Sequence, residues 1–234
     1  MTAPTVTFFG TGSNLLFSLG VAKSLKEQYR LGNATAITSS GGAIAAVAFL
    51  TLPVEEFDEL AKHVSRLMAD LKQTSFAWFK VHSVYRKILS LVVKPETLPK
   101  LRTHLQIATT RLPFLQVHSY TGPFETVDEV ISHLEASAYN PLYFPRLPSK
   151  SHFWDLDAGV SLNPLNFTSS VNISPRYKPG IDIFLDKSKV DVLRLRTYQE
   201  YLDLYSEGIK AGYEQSQSVR VKISASEIFY PILR

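Results

Sequence analysis

Five small residues, Thr38-Ser39-Ser40-Gly41-Gly42, separate two apolar runs of different character. Ala34 to Ile37 enters them as a short strand-like stretch, with Thr35 its one polar residue. Ala43 to Leu50 leaves them as a long Ala-rich run suited to a buried helix. A chain built this way must pass from sheet to helix through a tight turn. Such a turn can hold a serine hydroxyl out of the sheet, at a helix N-terminus whose partial positive charge suits an oxyanion.

The same order occurs earlier in the chain. Val6 to Phe9 reads as a short buried strand that ends at Gly10-Thr11-Gly12, and a helical pattern follows from Ser13 to Arg30. There Leu15, Leu19, Ala22, Leu25 and Tyr29 recur three or four apart, while Lys23, Lys26, Glu27 and Arg30 share the other face. This β-α-β-α opening predicts an α/β fold around a largely parallel sheet. Further helices are expected from Pro53 to about Leu71, from Ser75 to Val93, from Thr126 to Ser137 and from about Leu195 to Gln215. Strands are expected at Leu105 to Thr110, Leu115 to Ser119, Phe153 to Leu156 and Val171 to Ser174, with a turn at Asp157-Ala158-Gly159. An irregular segment starts at Asn140-Pro141 and runs through Pro145 and Pro148. With no repeat and no low-complexity linker, residues 1–234 read as one domain.

Composition narrows the chemistry. The chain has no cysteine, which excludes disulfides, thiolate metal sites and a cysteine nucleophile. The six histidines show no metal-type spacing and there is no acidic ligand cluster, so neither a metal nor a cofactor is expected. The net charge of +4 comes from Lys and Arg spread along the chain without a polybasic block, which argues against nucleic acid and allows attraction to an anionic membrane surface. Neither a signal peptide nor an apolar run long enough for a transmembrane helix is visible, so any membrane contact is expected to be peripheral and the location cytoplasmic.

Three elements carry candidate chemistry. Ser40 has the strand-turn-helix context of a nucleophile, although the pentapeptide alone fits a helix N-cap serine better. Gly10, Thr11 and Gly12 direct backbone N–H groups toward a helix N-terminus, where they could hold an oxyanion or simply form a tight βα turn. A dinucleotide site would need glycine where Leu15 stands. Asp157 could serve a nearby hydroxyl as a base, or act only as a turn former; Asp155 is a nearby competitor with less favourable context. No histidine can be singled out as a base.

In this order the three elements resemble the patatin-like phospholipase family. Phe9-Gly10-Thr11-Gly12-Ser13-Asn14 and the helix to Leu25 are similar to its glycine-rich oxyanion loop and first helix. Ser40-Gly41-Gly42-Ala43-Ile44 resembles its nucleophile elbow, and Asp157-Ala158-Gly159 through Asn163-Pro164-Leu165 its aspartate segment. Ala136-Ser137-Ala138 with Pro141 and Phe144 resembles the stretch that precedes that aspartate. The likeness covers about residues 5–185, and the animal-type members are the most similar.

The resemblance implies a three-layer α/β/α fold and a lipid acyl hydrolase of phospholipase or acylglycerol lipase type. Its Ser40–Asp157 dyad would work through an acyl-enzyme, with Gly10, Thr11 and Gly12 as the oxyanion hole. Ser39 is an alternative nucleophile by adjacency. Thr38, Leu15 and Ala158 stand where the family pattern has glycine, which keeps a catalytically silent lipid-binding protein open as an alternative; a lipid transacylase is another. The expected partner is a lipid or phospholipid at a peripheral membrane surface. Ser75-Phe76-Ala77-Trp78-Phe79-Lys80 suits a headgroup boundary or a packed helix, and Tyr139, Tyr143, Phe144, Phe153 and Trp154 could line an acyl groove or belong to the core.

Overall fold

A computed structural model describes residues 4–29, 33–75, 77–140, 155–158, 170–175, 179–185, 191 and 193–215. The strands are β1 (Thr5–Phe8), β2 (Thr35–Thr38), β3 (Leu105–Arg111), β4 (Gln116–Thr121), β5 (Asp155–Asp157) and β6 (Ser170–Ile173). The helices are α1 (Leu15–Gln28), α2 (Ala43–Thr51), α3 (Phe57–Lys72), α4 (Ala77–Val92), α5 (Leu98–His104), α6 (Val127–Ser137) and α7 (Tyr198–Glu214). The fold is α/β. Its mixed, mostly parallel sheet runs β4-β3-β2-β1-β6, with β5 attached to β3.

β1 lies between β2 and β6, parallel to both, and β2 is parallel to β3. β4 returns antiparallel along one edge of β3, covering Gln106 to Arg111. The other edge is shared. Its first part, Leu105 to Ile107, pairs with β2; its second part, Thr109 to Arg111, pairs antiparallel with β5. β2 and β5 therefore approach each other end to end. Asp157, expected in a turn, is the last residue of β5, opposite Thr109.

α2 is apolar on every side, and Ala43 to Leu50 are all buried, as a helix of that composition must be. It packs on β1, β2 and β3 and against α1, α4 and α5. α1 packs closely on α7. A Cβ added at Gly20 would lie 2.1 Å from Tyr205 O, and one at Gly208 would lie 2.1 Å from Phe17 O, so the two backbones touch where those glycines stand. The spacing of Tyr198, Tyr201, Leu202, Tyr205, Ile209 and Tyr213 predicts that they line one face of the last helix, and this contact corrects that face in part. Tyr201, Leu204, Tyr205, Gly208, Ala211 and Gly212 are buried, while Tyr213 is exposed. α7 also starts later than expected, at a capping box in which Thr197 Oγ1 accepts from Glu200 N–H and Glu200 from Thr197 N–H.

α4 and α6 lie side by side. Arg86 bonds both Asp128 and Glu135 of α6, while His82, one turn earlier, sits at Glu135. The two helices are thus antiparallel, and the start of α4 lies toward the end of α6. α5 was not anticipated. Tyr143, Phe144, Phe153, Trp154, Phe76 and the segment 159–165 lie outside the described residues. Among the described residues no helix is long and apolar enough to cross a membrane.

Candidate active site

Ser40 stands at the turn from β2 into α2 with φ 51°, a left-handed conformation that costs a non-glycine residue about 1–3 kcal/mol. Two buried hydrogen bonds hold it there. Its N–H donates to Ser137 Oγ at 3.0 Å, and its carbonyl accepts from the Tyr85 hydroxyl at 2.8 Å. Ser137 in turn donates to Ala108 O at 2.6 Å, which ties the end of α6 to β3 behind the turn. Burial, reinforced by the Asp157 and Glu135 carboxylates, pushes the Tyr85 phenol well above its ordinary pKa, so it stays a neutral donor.

This clamp aims the Ser40 hydroxyl at β5. Its Oγ donates to Asp157 Oδ2 at 2.7 Å. The Asp157 backbone is anchored on two sides: its N–H donates to Tyr139 O at 2.8 Å, and its carbonyl accepts from Thr110 Oγ1 at 3.1 Å. The dyad partners are therefore fixed by β2, β3, β5 and the end of α6 together. Ser39 does not share this position; it is fully buried and its N–H is bonded to Phe8 O.

The Gly10–Gly12 loop lies directly against the serine. A Cβ on Gly10 would sit 3.1 Å from Ser40 Cβ and 3.7 Å from its Oγ. One on Gly41 would sit 2.4 Å from Thr11 Oγ1, and one on Gly42 would sit 2.4 Å from Phe8 O. Glycine at these places lets the two turns nest. Gly12 itself has φ 51°. Because Ser137 takes the Ser40 N–H, an oxyanion formed beside Ser40 would need the Gly10, Thr11 or Gly12 amides, or that of Gly41. The Gly41 N–H lies in the first helical turn, where no intrahelical acceptor is available.

The three residues that stand for glycine are absorbed elsewhere. Thr38 is a fully buried strand residue, paired with Phe8 and Ile107. Leu15 joins the main core. Ala158 packs with Phe9, Ala108 and Ile181 in a small separate cluster.

Asp155 has a different task. Register along β3 places it opposite Arg111, where it accepts from Thr109 Oγ1 at 3.3 Å, from Arg111 Nε at 3.4 Å and from the Tyr120 hydroxyl. Burial, followed by the bond to Asp155, pushes the Tyr120 phenol up to about 12. His118 is held below its usual value by burial and then by the Arg111 charge. Asp155 is thus bound into the hairpin and away from Ser40.

The sequence anticipated Ser40, Asp157 and the Gly10–Gly12 loop, and the structure brings them together. It gave no role to Tyr85 or Ser137. Ser137 had a signal, the Ala-Ser pair twenty residues before Asp157; Tyr85 had none. Among the described residues no group of His, Asp or Glu side chains could hold a metal ion. Comparison with protein-family models and with curated proteins gives no match.

Proposed function

We propose that this chain is a serine acyl-ester hydrolase of lipids, with Ser40 as nucleophile and Asp157 as its base, on a three-layer α/β/α fold of patatin-like type. One observation carries the reading: the 2.7 Å bond from Ser40 Oγ to Asp157 Oδ2, made by a serine in a left-handed turn. A hydroxyl is a weak nucleophile until a positioned base takes its proton.

The reaction follows from that geometry. Ser40 Oγ attacks the ester carbonyl carbon as its proton passes to Asp157. The carbonyl oxygen gains the negative charge and is held by amides of the Gly10–Gly12 loop. Collapse expels the alcohol, which takes the proton from Asp157 and leaves an acyl-Ser40. Water then attacks the acyl carbon and gives a proton to Asp157. The second collapse releases the fatty acid and returns the proton to Ser40.

The lipid class rests on the family resemblance and on the start of α4, where Phe79 is 58% exposed beside exposed Lys80. The protein acts at the cytoplasmic side of a membrane surface. The intact bond supports turnover over a silent lipid-binding fold, since Thr38, Leu15 and Ala158 are accommodated without parting the dyad. Transfer of the acyl group to an alcohol in place of water uses the same first step.

A fluorophosphonate probe tests the assignment. Covalent labelling of the wild type that disappears in Ser40→Ala is expected; equal labelling of both would remove Ser40 from the reaction.

A further inference from the structure

The β3–β4 hairpin presents three exposed apolar side chains, one of them, Phe114, the most exposed large apolar residue among those described. Phe114 is 79% exposed, Leu115 50% and Val117 39%. All three lie in or beside the turn that joins the strands. Leu115 has φ 51°, a hairpin position that glycine or asparagine fills with little strain. A leucine that is both strained and exposed at this position points to a use outside the fold.

Position along β3 relates this tip to the site. Thr109 is opposite Asp157, and β3 continues past it through Arg111 into the turn. β3 ends at Arg111, two residues and roughly 7 Å of strand beyond Thr109, and Phe114 lies in the turn that follows. The antiparallel packing of α4 and α6 sends the start of α4, with exposed Phe79, beyond the Ser137 end of α6. Apolar side chains thus stand on two elements at the end of the molecule where Ser40 lies.

The charges grade in the same direction. No Asp or Glu occurs between Glu96 and Glu125. The residues from Leu112 to Ser119 carry no Lys or Arg either; Arg111, at the base of the tip, is ion-paired with Asp155, while Lys80 beside Phe79 is exposed. Apolar side chains at the tip and at the start of α4, with the Lys80 cation beside Phe79, match the depth profile of a bilayer, where acyl chains lie beneath anionic headgroups.

We infer that Phe114 and Leu115, with Phe79 and Lys80 at the start of α4, dock this chain on an anionic phospholipid bilayer, next to the Ser40 site. This inference rests on the lipid reading above and names the surface from which that site draws its substrate.

Vesicle sedimentation of the full chain tests it, with phosphatidylcholine vesicles prepared with and without phosphatidylserine. The double variant Phe114→Asp, Leu115→Asp removes the apex at exposed positions and keeps the site. Wild type is expected to bind, more strongly with phosphatidylserine, and the variant to lose about tenfold or more, the scale set by burying two large apolar side chains. Hydrolysis of a water-soluble short-chain ester should be the same in both. Equal vesicle binding by the two proteins overturns docking even if the soluble ester is hydrolysed. Apex-dependent binding without turnover of any ester upholds docking and rejects the hydrolase.

The chain has no cysteine, so a single Phe114→Cys carrying an environment-sensitive dye reports burial directly. Its emission should shift blue on vesicles, while the dye on Thr121→Cys, at the far end of β4, should not respond. Matching responses at the two positions, or an apex-dependent dimer in sedimentation velocity without vesicles, would count against a lipid partner.

Discussion

Ser40 and Asp157, 117 residues apart in the chain, share a 2.7 Å hydrogen bond because β2 and β5 end against each other on one edge of β3. β2 climbs that edge as far as Ile107, and β5 descends it as far as Thr109. Neither residue needs a long loop to reach the other. The sheet itself sets their separation, which is the kind of rigid placement that a proton transfer at the reacting atom requires.

Asp157→Asn tests the base. The amide oxygen can still accept from Ser40 Oγ but cannot take its proton. Turnover of a short-chain ester should fall by roughly 10²–10⁴-fold, the usual range for a positioned general base. Circular dichroism should be unchanged. Unaltered turnover would leave Asp157 with only a structural role.

Ser137→Ala tests the clamp behind the nucleophile. It leaves the buried Ser40 N–H and the buried Ala108 carbonyl without this partner. A loss of about 1–3 kcal/mol is expected in denaturant unfolding. The left-handed turn should also relax, so kcat on a short-chain ester should fall while KM holds. Tyr85→Phe removes only the donor to Ser40 O and should cost about 1 kcal/mol. The reverse ranking of the two variants would show that the carbonyl, not the amide, holds the turn.

Much of this was legible in the residues, and the exceptions have physical causes. α2 could be read because a helix that is apolar all round has nowhere to go but the interior. α5 could not. It has seven residues with Pro99 at its start, too few for a periodic pattern. The tyrosine stripe of α7 was readable only in part: Tyr201 and Tyr205 are buried, but Tyr213 is exposed, because close approach to α1 selects Gly208 rather than a large side chain. The choice between Asp155 and Asp157 was open locally, since residues two apart in a strand share a face. Register along β3 decides it, giving Asp155 to Arg111 and Asp157 to Ser40. Tyr85 was readable as core but not as a donor, because its partner is a main-chain carbonyl 45 residues away.

A second buried carboxylate lies behind the site. The Glu135 side chain is fully buried, with Arg86 Nη1 at 2.7 Å and His82 Nε2 at 3.1 Å. Arg86→Met should cost roughly 2–3 kcal/mol. That is below the usual loss on breaking a buried pair, because Arg86 is itself partly solvated. Adding Glu135→Leu removes the stranded charge and should restore part of the loss. A double-mutant cycle should therefore show coupling of about 1 kcal/mol or more. Simple additivity would mean that water reaches Glu135 as soon as Arg86 is gone.

Lys26 gives the fold a pH dependence with a defined sign. It reaches from α1 to the end of α2, where its ammonium donates to Phe49 O at 2.9 Å and to Leu52 O, and it lies 5.9 Å from the centre of the Phe57 ring. Burial first, and the Lys100 charge second, lower its pKa from 10.5 to about 8. Between those values the unfolded chain holds a proton that the folded chain has released. Unfolding then takes up a proton, and raising the pH favours the folded state. The unfolding free energy of wild type relative to Lys26→Met should thus be flat below the folded pKa of about 8, climb toward 10.5 and level off beyond it. Urea unfolding of both proteins across that range reads the difference directly. A difference that stays flat throughout would mean that the two carbonyls hold the ammonium as firmly as water does.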